Sequence, residues 1–321
     1  MAEDTTLFLR RTSWYLFAQM SSSADTSPHA HVLSPLLIGC IAITWLVWGS
    51  TYLAIRFALQ GFAPYFLMAS RFLAAGSLLL AWQMVRRAPL PTPRQWINAL
   101  IVGALMLGGG MGGVAYAEQR IASGVVVAFI AVVPLLLVVL NLAVGVRPRA
   151  LELMAVLVGF GGVLMLTRGA GFRGAPAGLA ALMLGTTGWA LGSVLAQRGF
   201  SLAAGAMGFA SEMLCGGLVL LLISALRAEP WRADPSALAW LSWLYLVIFG
   251  SLIAFSAYML LLARASASLA ASYALVNPVI ALLLGVTLGG ERVSGWEWLS
   301  AGVIMLGVLL LFVSRRRPAT R

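Results

Sequence analysis

Two charged residues lie well inside apolar stretches of the sequence and are the first candidates for chemistry. Arg71 stands in Ala-Ser-Arg-Phe, and Glu212 stands in the related stretch Ala-Ser-Glu-Met later in the chain. A charge at the centre of a membrane helix costs roughly 2.5–3.5 kcal/mol, so it is rarely retained without a use. Glu212 is the default candidate to carry a proton, and Arg71 is a candidate for coupling or gating. The alternative is structural: each side chain holds a gate through bonds to nearby backbone or hydroxyl groups.

Aromatic and hydroxyl side chains form a stripe on each of two apolar segments. Trp45, Trp48 and Tyr52 recur at spacings of three and four residues, and Trp189 and Ser193 recur in the same way later in the chain. Trp48 and Trp189 are separated in sequence by the same interval as Arg71 and Glu212. Such spacing places each set on one helix face. The stripes are predicted to line a cavity, although interfacial anchoring and hydrogen bonding between helices explain the same residue types.

A third group of candidates surrounds a proline in the ninth apolar segment, which reads Tyr273-x-x-x-Asn277-Pro278. Proline removes one helix hydrogen bond and clashes with the preceding turn. Pro134 in the fourth segment and Pro278 are therefore predicted to kink their helices. Carbonyl groups freed beside Tyr273 and Asn277 could face a cavity, where non-helical backbone is tolerated in a membrane. A purely mechanical kink is the alternative.

Composition assigns the chain to the membrane proteins. It is 61% apolar and 10% charged, against about 45–50% and about 25% in soluble domains. All 21 basic residues are arginine, which excludes lysine Schiff-base chemistry and lysine-dependent cofactors. The apolar segments contain no His, Asp or metal-ligand cluster, so the sequence predicts no metal, no cofactor and no enzyme. The net charge of +11 is spread over short connections, which argues against a nucleic-acid surface.

Ten apolar segments are long enough to span a bilayer. Their expected positions are 36–58, 64–85, 97–116, 121–142, 150–167, 177–197, 202–226, 237–259, 266–288 and 296–314. Residues 1–34 are predicted to form a disordered cytoplasmic tail, and 315–321 a basic cytoplasmic tail. Thirteen arginines fall on the side of the termini and six on the other, so both termini are expected in the cytoplasm.

The chain contains an internal repeat of five segments, over 35–168 and 177–314. Matching pairs continue beyond the tryptophans, since Pro134 pairs with Pro278 and Glu152 with Glu297. Because five is odd, the second copy must enter the membrane from the opposite side. Inverted repeats characteristically build a substrate site near the membrane midplane, which opens to each side in turn.

These residues resemble the EamA-type transporters of the drug/metabolite transporter superfamily. The resemblance covers roughly 35–314 and rests on Trp-Gly-Ser-Thr-Tyr at 48–52, Arg71-Phe72, Tyr273-x-x-x-Asn277-Pro278, and Gly289-Gly290-Glu291 followed by Glu297-Trp298-x-x-x-Gly302. It is most similar to the bacterial inner-membrane exporters of amino acids and metabolites. The resemblance implies an all-α fold of ten transmembrane helices around a central cavity, and efflux of small polar metabolites. Val146 stands where the second copy has Glu291, so this carboxylate does not act in both repeats.

The sequence therefore predicts a monomeric secondary transporter of the bacterial inner membrane, with a small molecule and the lipid bilayer as its partners. Export of amino acids or similar small zwitterions by alternating access is the leading hypothesis. A permease for sugars, nucleosides or cationic drugs is the alternative, and a membrane enzyme or a scaffold protein is disfavoured. The predicted substrate-binding residues are Trp48, Tyr52, Trp189, Ser193, Tyr258, Tyr273 and Asn277.

Overall fold

The computed structural model describes residues 34–143, 145, 148–169, 172, 175–197, 199–230, 234–264 and 272–316. Within these ranges every regular element is a helix. The predicted disordered tail up to residue 33, Val146, and the last five residues lie outside the described part of the chain.

Ten helices of the described chain, labelled α1 to α10 in order, follow one another. Seven are single stretches: α1 Pro35–Ala58, α2 Pro64–Val85, α5 Ala150–Thr167, α6 Pro176–Gln197, α7 Ala206–Leu226, α9 Tyr273–Thr287 and α10 Gly295–Arg316. Three are composite: α3 comprises Pro93–Gly103, a π-helical turn region Ala104–Met111 and Gly112–Glu118; α4 comprises Ser123–Ile130 and Val133–Ala143; α8 comprises Ala237–Tyr245, a π-helical region Leu246–Ile253 and Ala254–Arg264.

The helices have the length and composition of membrane spans. Nine of those described are long and apolar enough to cross a bilayer, and α9, with 15 described residues, is a shorter apolar helix. Helices satisfy their own backbone hydrogen bonds, which the hydrocarbon layer cannot do for them. The predicted all-α membrane fold is confirmed, with changes of boundary: α3 runs from Pro93 through Glu118 instead of 97–116, α7 begins at Ala206 instead of 202, and α10 continues through Arg316, past the predicted end at 314.

The internal repeat is visible in the irregularities of the backbone. The π-helical regions of α3 and α8 have the same length, and they start at corresponding places in the two copies, Ala104 and Leu246. Arg87 and Ala228 are also equivalent, since they follow α2 and α7, and both have a positive φ, of 55° and 48°. A non-glycine residue in this conformation is uncommon. Its occurrence at matched positions shows that the two copies share backbone geometry as well as sequence.

Helix pairs follow the two-fold relation between the copies. In close contact, α2 packs on α7, α4 on α9, and α5 on α10, each helix against its own equivalent. The helix α3 packs on α6. Its counterpart is the pair of α8 and α1, which meet where Cys40 and Ile41 contact Ala257 and Leu261.

The odd-numbered and even-numbered connections lie at opposite ends of the bundle. The termini end carries the start of α1 and the finish of α10; there Arg149 Nη1 donates to the Ser314 carbonyl oxygen at 3.1 Å. The opposite end is called the carboxylate end, because Glu118, Glu229 and Glu291 lie there. At this end Glu229 reaches the start of α2 and Glu291 the start of α4.

The two mid-span prolines have different effects. The helix α4 is interrupted at Ala131 and Val132, directly before Pro134, as a kink requires. Pro278 instead lies inside the continuous helix α9. The predicted kink at Pro278 therefore does not interrupt the helix.

Candidate functional site

Aromatic rings from three helices meet where α1, α8 and α9 come together. Trp48 of α1 contacts Tyr258 of α8 and Tyr273 of α9, with ring centroids 5.1 and 4.9 Å apart. Tyr258 and Tyr273 also meet each other edge to face at 5.6 Å. Phe255 of α8 packs beside Trp48 at 6.0 Å. We call these four residues the aromatic group; it brings together three of the seven predicted binding residues.

A layer of polar bonds lies beside the aromatic group, on the side of the termini end. The Asn277 amide is assigned with its NH₂ group toward the Trp45 carbonyl oxygen at 3.1 Å and the Tyr273 carbonyl oxygen at 3.2 Å, because both carbonyls can only accept. The Trp45 indole Nε1 donates to the Ser272 hydroxyl at 3.0 Å. Asn277, one of the predicted binding residues, therefore joins α9 to α1 on the side of the rings that faces the termini end.

The π-helical region of α8 supplies the polar partners on the other side of the rings. The Trp48 indole Nε1 donates to the Gly250 carbonyl oxygen at 3.2 Å. Arg71 Nε donates to the Ser251 hydroxyl at 2.9 Å, and that hydroxyl donates to the Leu246 carbonyl oxygen at 3.0 Å. Regions of this kind leave carbonyl groups without a normal helical partner and often occur at functional sites. Here they hold the Trp48 ring and the Arg71 guanidinium in place.

The two predicted mid-membrane charges lie apart. Arg71 is 4% exposed in the half of α2 toward the carboxylate end, and Glu212 is 5% exposed in the half of α7 toward the termini end. No ion pair between them exists in the described part of the chain. The α7 backbone at Glu212 packs closely on Gly103 of α3, where an added Cβ would lie 2.8 Å from the Glu212 carbonyl oxygen. Glu212 thus sits at a tightly packed contact.

Trp189 and Ser193 do not join the aromatic group. The Trp189 ring packs on Gly110 of α3, where an added Cβ would lie 3.0 Å from the ring. The Ser193 hydroxyl donates to the Trp189 carbonyl oxygen at 2.7 Å, which is a bond within α6. The equivalent stripes of α1 and α6 therefore have different surroundings, because the helices that face them carry different side chains.

Tyr52 lies between the aromatic group and the carboxylate end. It is half-buried and packs against the main hydrophobic core. It also interacts electrostatically with Arg71 and with Glu118 at the end of α3. Sequence reasoning missed Glu118 because the third segment was expected to end at residue 116, whereas α3 continues through Glu118.

Glu291 makes the densest set of polar bonds at the carboxylate end. Its carboxylate accepts from Arg56 Nη1 at 2.9 Å, from the Ser123 amide and hydroxyl at 2.8 and 2.7 Å, and from the Gly124 amide at 3.2 Å. A carboxylate at a helix N-terminus satisfies free amides and the helix dipole. Glu291 of the second repeat thereby joins α1 and α4 of the first.

Two glycines, Gly290 of the Gly-Gly-Glu motif and Gly285 in α9, make this placement possible. Gly290 has a φ of +61°, which turns the chain back after α9. A Cβ on Gly285 would lie 2.3 Å from the Glu291 carboxylate, so only glycine leaves room for it. The motif was visible in the sequence, but its partners Arg56, Ser123 and Gly124 were not.

Comparison with known proteins identifies the family. The EamA-like transporter family model matches residues 35–168 and again residues 176–313. This chain belongs to the EamA-like transporter family. The inner membrane transporter YedA of Escherichia coli (strain K12) is 41% identical over 280 residues, which cover 87% of this chain and 91% of YedA. Protein PecM of Dickeya dadantii (strain 3937) is 29% identical over 280 residues, covering 84% and 92% of the two chains.

A solved crystal structure confirms the fold. It is similar with a TM-score of 0.62 and 24% sequence identity, and the match covers 87% of this chain and 98% of the other. The family match, the named relatives and the membrane-length helices make the protein a multi-pass inner membrane transporter. The described residues contain no group of three or more His, Cys, Asp and Glu side chains that could hold a metal ion.

Proposed function

We propose that this EamA-family protein is a monomeric secondary transporter that exports amino acids or similar small zwitterions by alternating access. The observation that supports the proposal is the aromatic group, where the two repeats meet beside the Asn277 amide. An apolar wall with a few polar groups is typical of small-molecule sites. The protein would move its solute without transforming it.

Each part of the site suits one part of such a solute. Faces of Trp48, Tyr258 and Tyr273 would pack the apolar portion, and the rings would attract an ammonium group. The Asn277 amide would hydrogen-bond the carboxylate, and Tyr52 would lie along the path toward the carboxylate end. Trp189 and Ser193 are proposed to line the path from the side of α6. In the state described here the rings touch, so solute entry would require α1 to move relative to α8 and α9.

Arg71 and Glu212 are proposed to act as gating residues, which stabilise helix contacts that close the transport path. The bond from Arg71 to Ser251 ties α2 to the π-helical region of α8. Glu212 lies at the related contact between α7 and α3. Glu212→Gln should therefore leave both solute exchange and the dependence of flux on a pH gradient unchanged. If the variant kept exchange and lost that dependence, Glu212 would be the coupling carboxylate.

The test is flux into proteoliposomes that contain the purified protein, with radiolabelled amino acids, sugars and nucleosides as probes and protein-free liposomes as background. Flux of amino acids above background, without chemical change, is the expected result. Trp48→Ala should abolish it at normal protein content. Trp82→Ala is the matched control, since Trp82 is 57% exposed on α2 and away from the site.

If only a sugar or a nucleoside were transported, the proposed substrate class would be wrong. Normal flux in Trp48→Ala would place the site elsewhere.

A further inference from the structure

Glu118 is an unusual residue among those described, because its carboxylate is buried and has no partner. The residue is 4% exposed. Neither side-chain oxygen has a hydrogen-bond partner, and each exposes less than 1 Å² to solvent. Every other carboxylate named at this end is paired: Glu291 with Arg56 and α4, and Glu229 with the Tyr65 and Phe66 amides of α2.

An ionised carboxylate is strongly disfavoured at this position. An isolated buried charge is so costly that the group normally becomes neutral instead. Glu118 is also the last residue of α3. The helix dipole is negative there, which disfavours a second negative charge. Burial, the lack of a partner and the helix dipole therefore all favour the neutral form of this side chain.

The charged and titratable groups around Glu118 come from three elements. Tyr52 and Arg56 interact with it from α1, Arg71 of α2 interacts with Tyr52, and Glu291 interacts with Glu118 from the connection after α9. Arg56, the basic group that interacts with Glu118, already donates to Glu291 at 2.9 Å. Glu291 adds a negative charge nearby. The surroundings thus favour the neutral form of Glu118.

A proton is the ligand small enough to bind this buried carboxylate. With less than 1 Å² of exposed surface on each oxygen, no metal ion or ammonium group can reach it in this state. A proton can be carried in by water before the end closes. It then forms the O–H bond of a neutral carboxylic acid, and it returns to water when the end opens again and the carboxylate is hydrated.

We propose that Glu118 is a proton-binding site whose occupancy is linked to closure of the carboxylate end. This inference rests on the alternating access proposed above, but not on the identity of the solute. Binding of one proton favours the closed state, and loss of that proton favours the open, hydrated state. Acid on the side that the carboxylate end faces therefore closes it, which makes the opening of that end depend on pH.

Spin-label distances test the linkage without any substrate. Cys40 and Cys215 are replaced with alanine, and the exposed positions Gln60 and Arg292 are changed to cysteine and labelled. The full chain is placed in lipid nanodiscs and titrated from about pH 5 to about pH 9, the range reached by buried carboxylates. In the otherwise unchanged protein, the population with the longer distance should grow as the pH rises.

Glu118→Gln, which stays neutral at every pH, should keep the shorter distance throughout the titration. Glu152→Gln, whose carboxylate caps only the start of its own helix, is the matched control and should follow the unsubstituted protein. A pH response that survives in Glu118→Gln, or is absent from the unsubstituted protein, overturns the proposal.

Infrared spectroscopy of the unsubstituted protein and of Glu118→Gln gives a second measurement. Near neutral pH, the substitution should remove one C=O stretching band of a protonated carboxyl group. An unchanged band pattern would mean that Glu118 is ionised, which also overturns the proposal. A failed search for amino-acid flux would affect neither measurement, so the two proposals fail separately.

Discussion

The contact of α6 with α3 and the contact of α1 with α8 are equivalents in the two repeats, yet they are built differently. Between α6 and α3 the backbones touch: a Cβ on Gly185 would lie 2.8 Å from the Gly109 carbonyl oxygen, and one on Gly188 would lie 2.9 Å from that of Leu105. Among the described helices, no comparably close backbone packing joins α1 to α8. There, side chains such as Trp48 and Phe255 fill the space.

The sequence difference behind this is small. In the register that pairs Trp48 with Trp189, α6 carries Gly185, Gly188 and Gly192, and α1 carries Thr44, Val47 and Thr51. Small residues allow membrane helices to approach closely and gain dispersion contacts. Side chains with a Cβ hold the helices apart. Of these two contacts between the repeats, one is thus made by closely packed helix backbones and the other by rings and hydroxyl groups.

The difference indicates which contact can rearrange. A groove of about 260 Å³ already opens between α1 and α8 on the side of the carboxylate end, lined by Ser50, Leu53, Ala54, Phe57, Leu241, Ser242 and Tyr245. Changing ring contacts costs less than separating packed backbones, because rotamers can adjust. We infer that α6 and α3 form the fixed part of the bundle and that α1 moves.

The largest effect is expected from filling the close contact. Gly185→Leu places side-chain atoms where the α3 backbone lies, and overpacking of this kind costs about 1–3 kcal/mol. The yield of folded protein in the membrane and its thermal stability in detergent should both fall. Gly161→Leu is the control, because nothing lies within 4 Å of an added Cβ there. Equal tolerance of both changes would mean that the α6 to α3 contact is not rigid.

A second pair of variants compares the equivalent tryptophans. Trp48→Ala removes the ring that joins α1, α8 and α9, so flux should fall on the order of tenfold or more, as for a central binding residue. Trp189→Ala should reduce flux only a few-fold, because that ring packs on Gly110 outside the aromatic group. Both proteins should reach the membrane in normal amount. Equal losses of flux would show that the two stripes line one site.

A smaller effect is expected where α1 is attached to the second repeat. Glu291→Gln keeps the shape of the side chain but weakens its bonds to Arg56 and to the Ser123 amide and hydroxyl. Hydrogen bonds to charged groups contribute about 1.5–3 kcal/mol each, and less where Arg56 is partly exposed. The spin-label distance between positions 60 and 292 should lengthen at every pH. Glu152→Gln, which caps only its own helix, is the control and should leave it unchanged.

Reporter fusions do not depend on transport activity, and they show which side of the membrane each end of the bundle faces. From the excess of arginines beside the termini, we propose that both termini are cytoplasmic and that the carboxylate end faces the periplasm. Fusions at Arg87 and Arg317 should show cytoplasmic activity, and a fusion at Arg173 periplasmic activity. A periplasmic C-terminus would contradict the inverted arrangement, because the number of spans would then be odd.

The sequence alone determined the membrane fold, the number of apolar segments and the repeat. These depend on local properties: about 20 apolar residues make a span wherever they occur, and the pairing of Trp48 with Trp189 is visible without coordinates. It also pointed to Trp48, which lies too deep in its span for interfacial anchoring, and to Tyr258 and Tyr273, the latter in the motif before Pro278. Their mutual contacts agree with that choice, although their role in binding stays a prediction.

Only the tertiary structure decided which equivalent residues share an environment and which carboxylate lacks a partner. Trp189 stands in the same sequence pattern as Trp48, but its surroundings depend on glycines of α3 that are distant in the chain. Glu118 looks like a residue of a connection, and it is buried because α1 and the chain after α9 cover it. Burial and pairing are set by what other elements bring to a position, and periodicity within one helix carries no information about them.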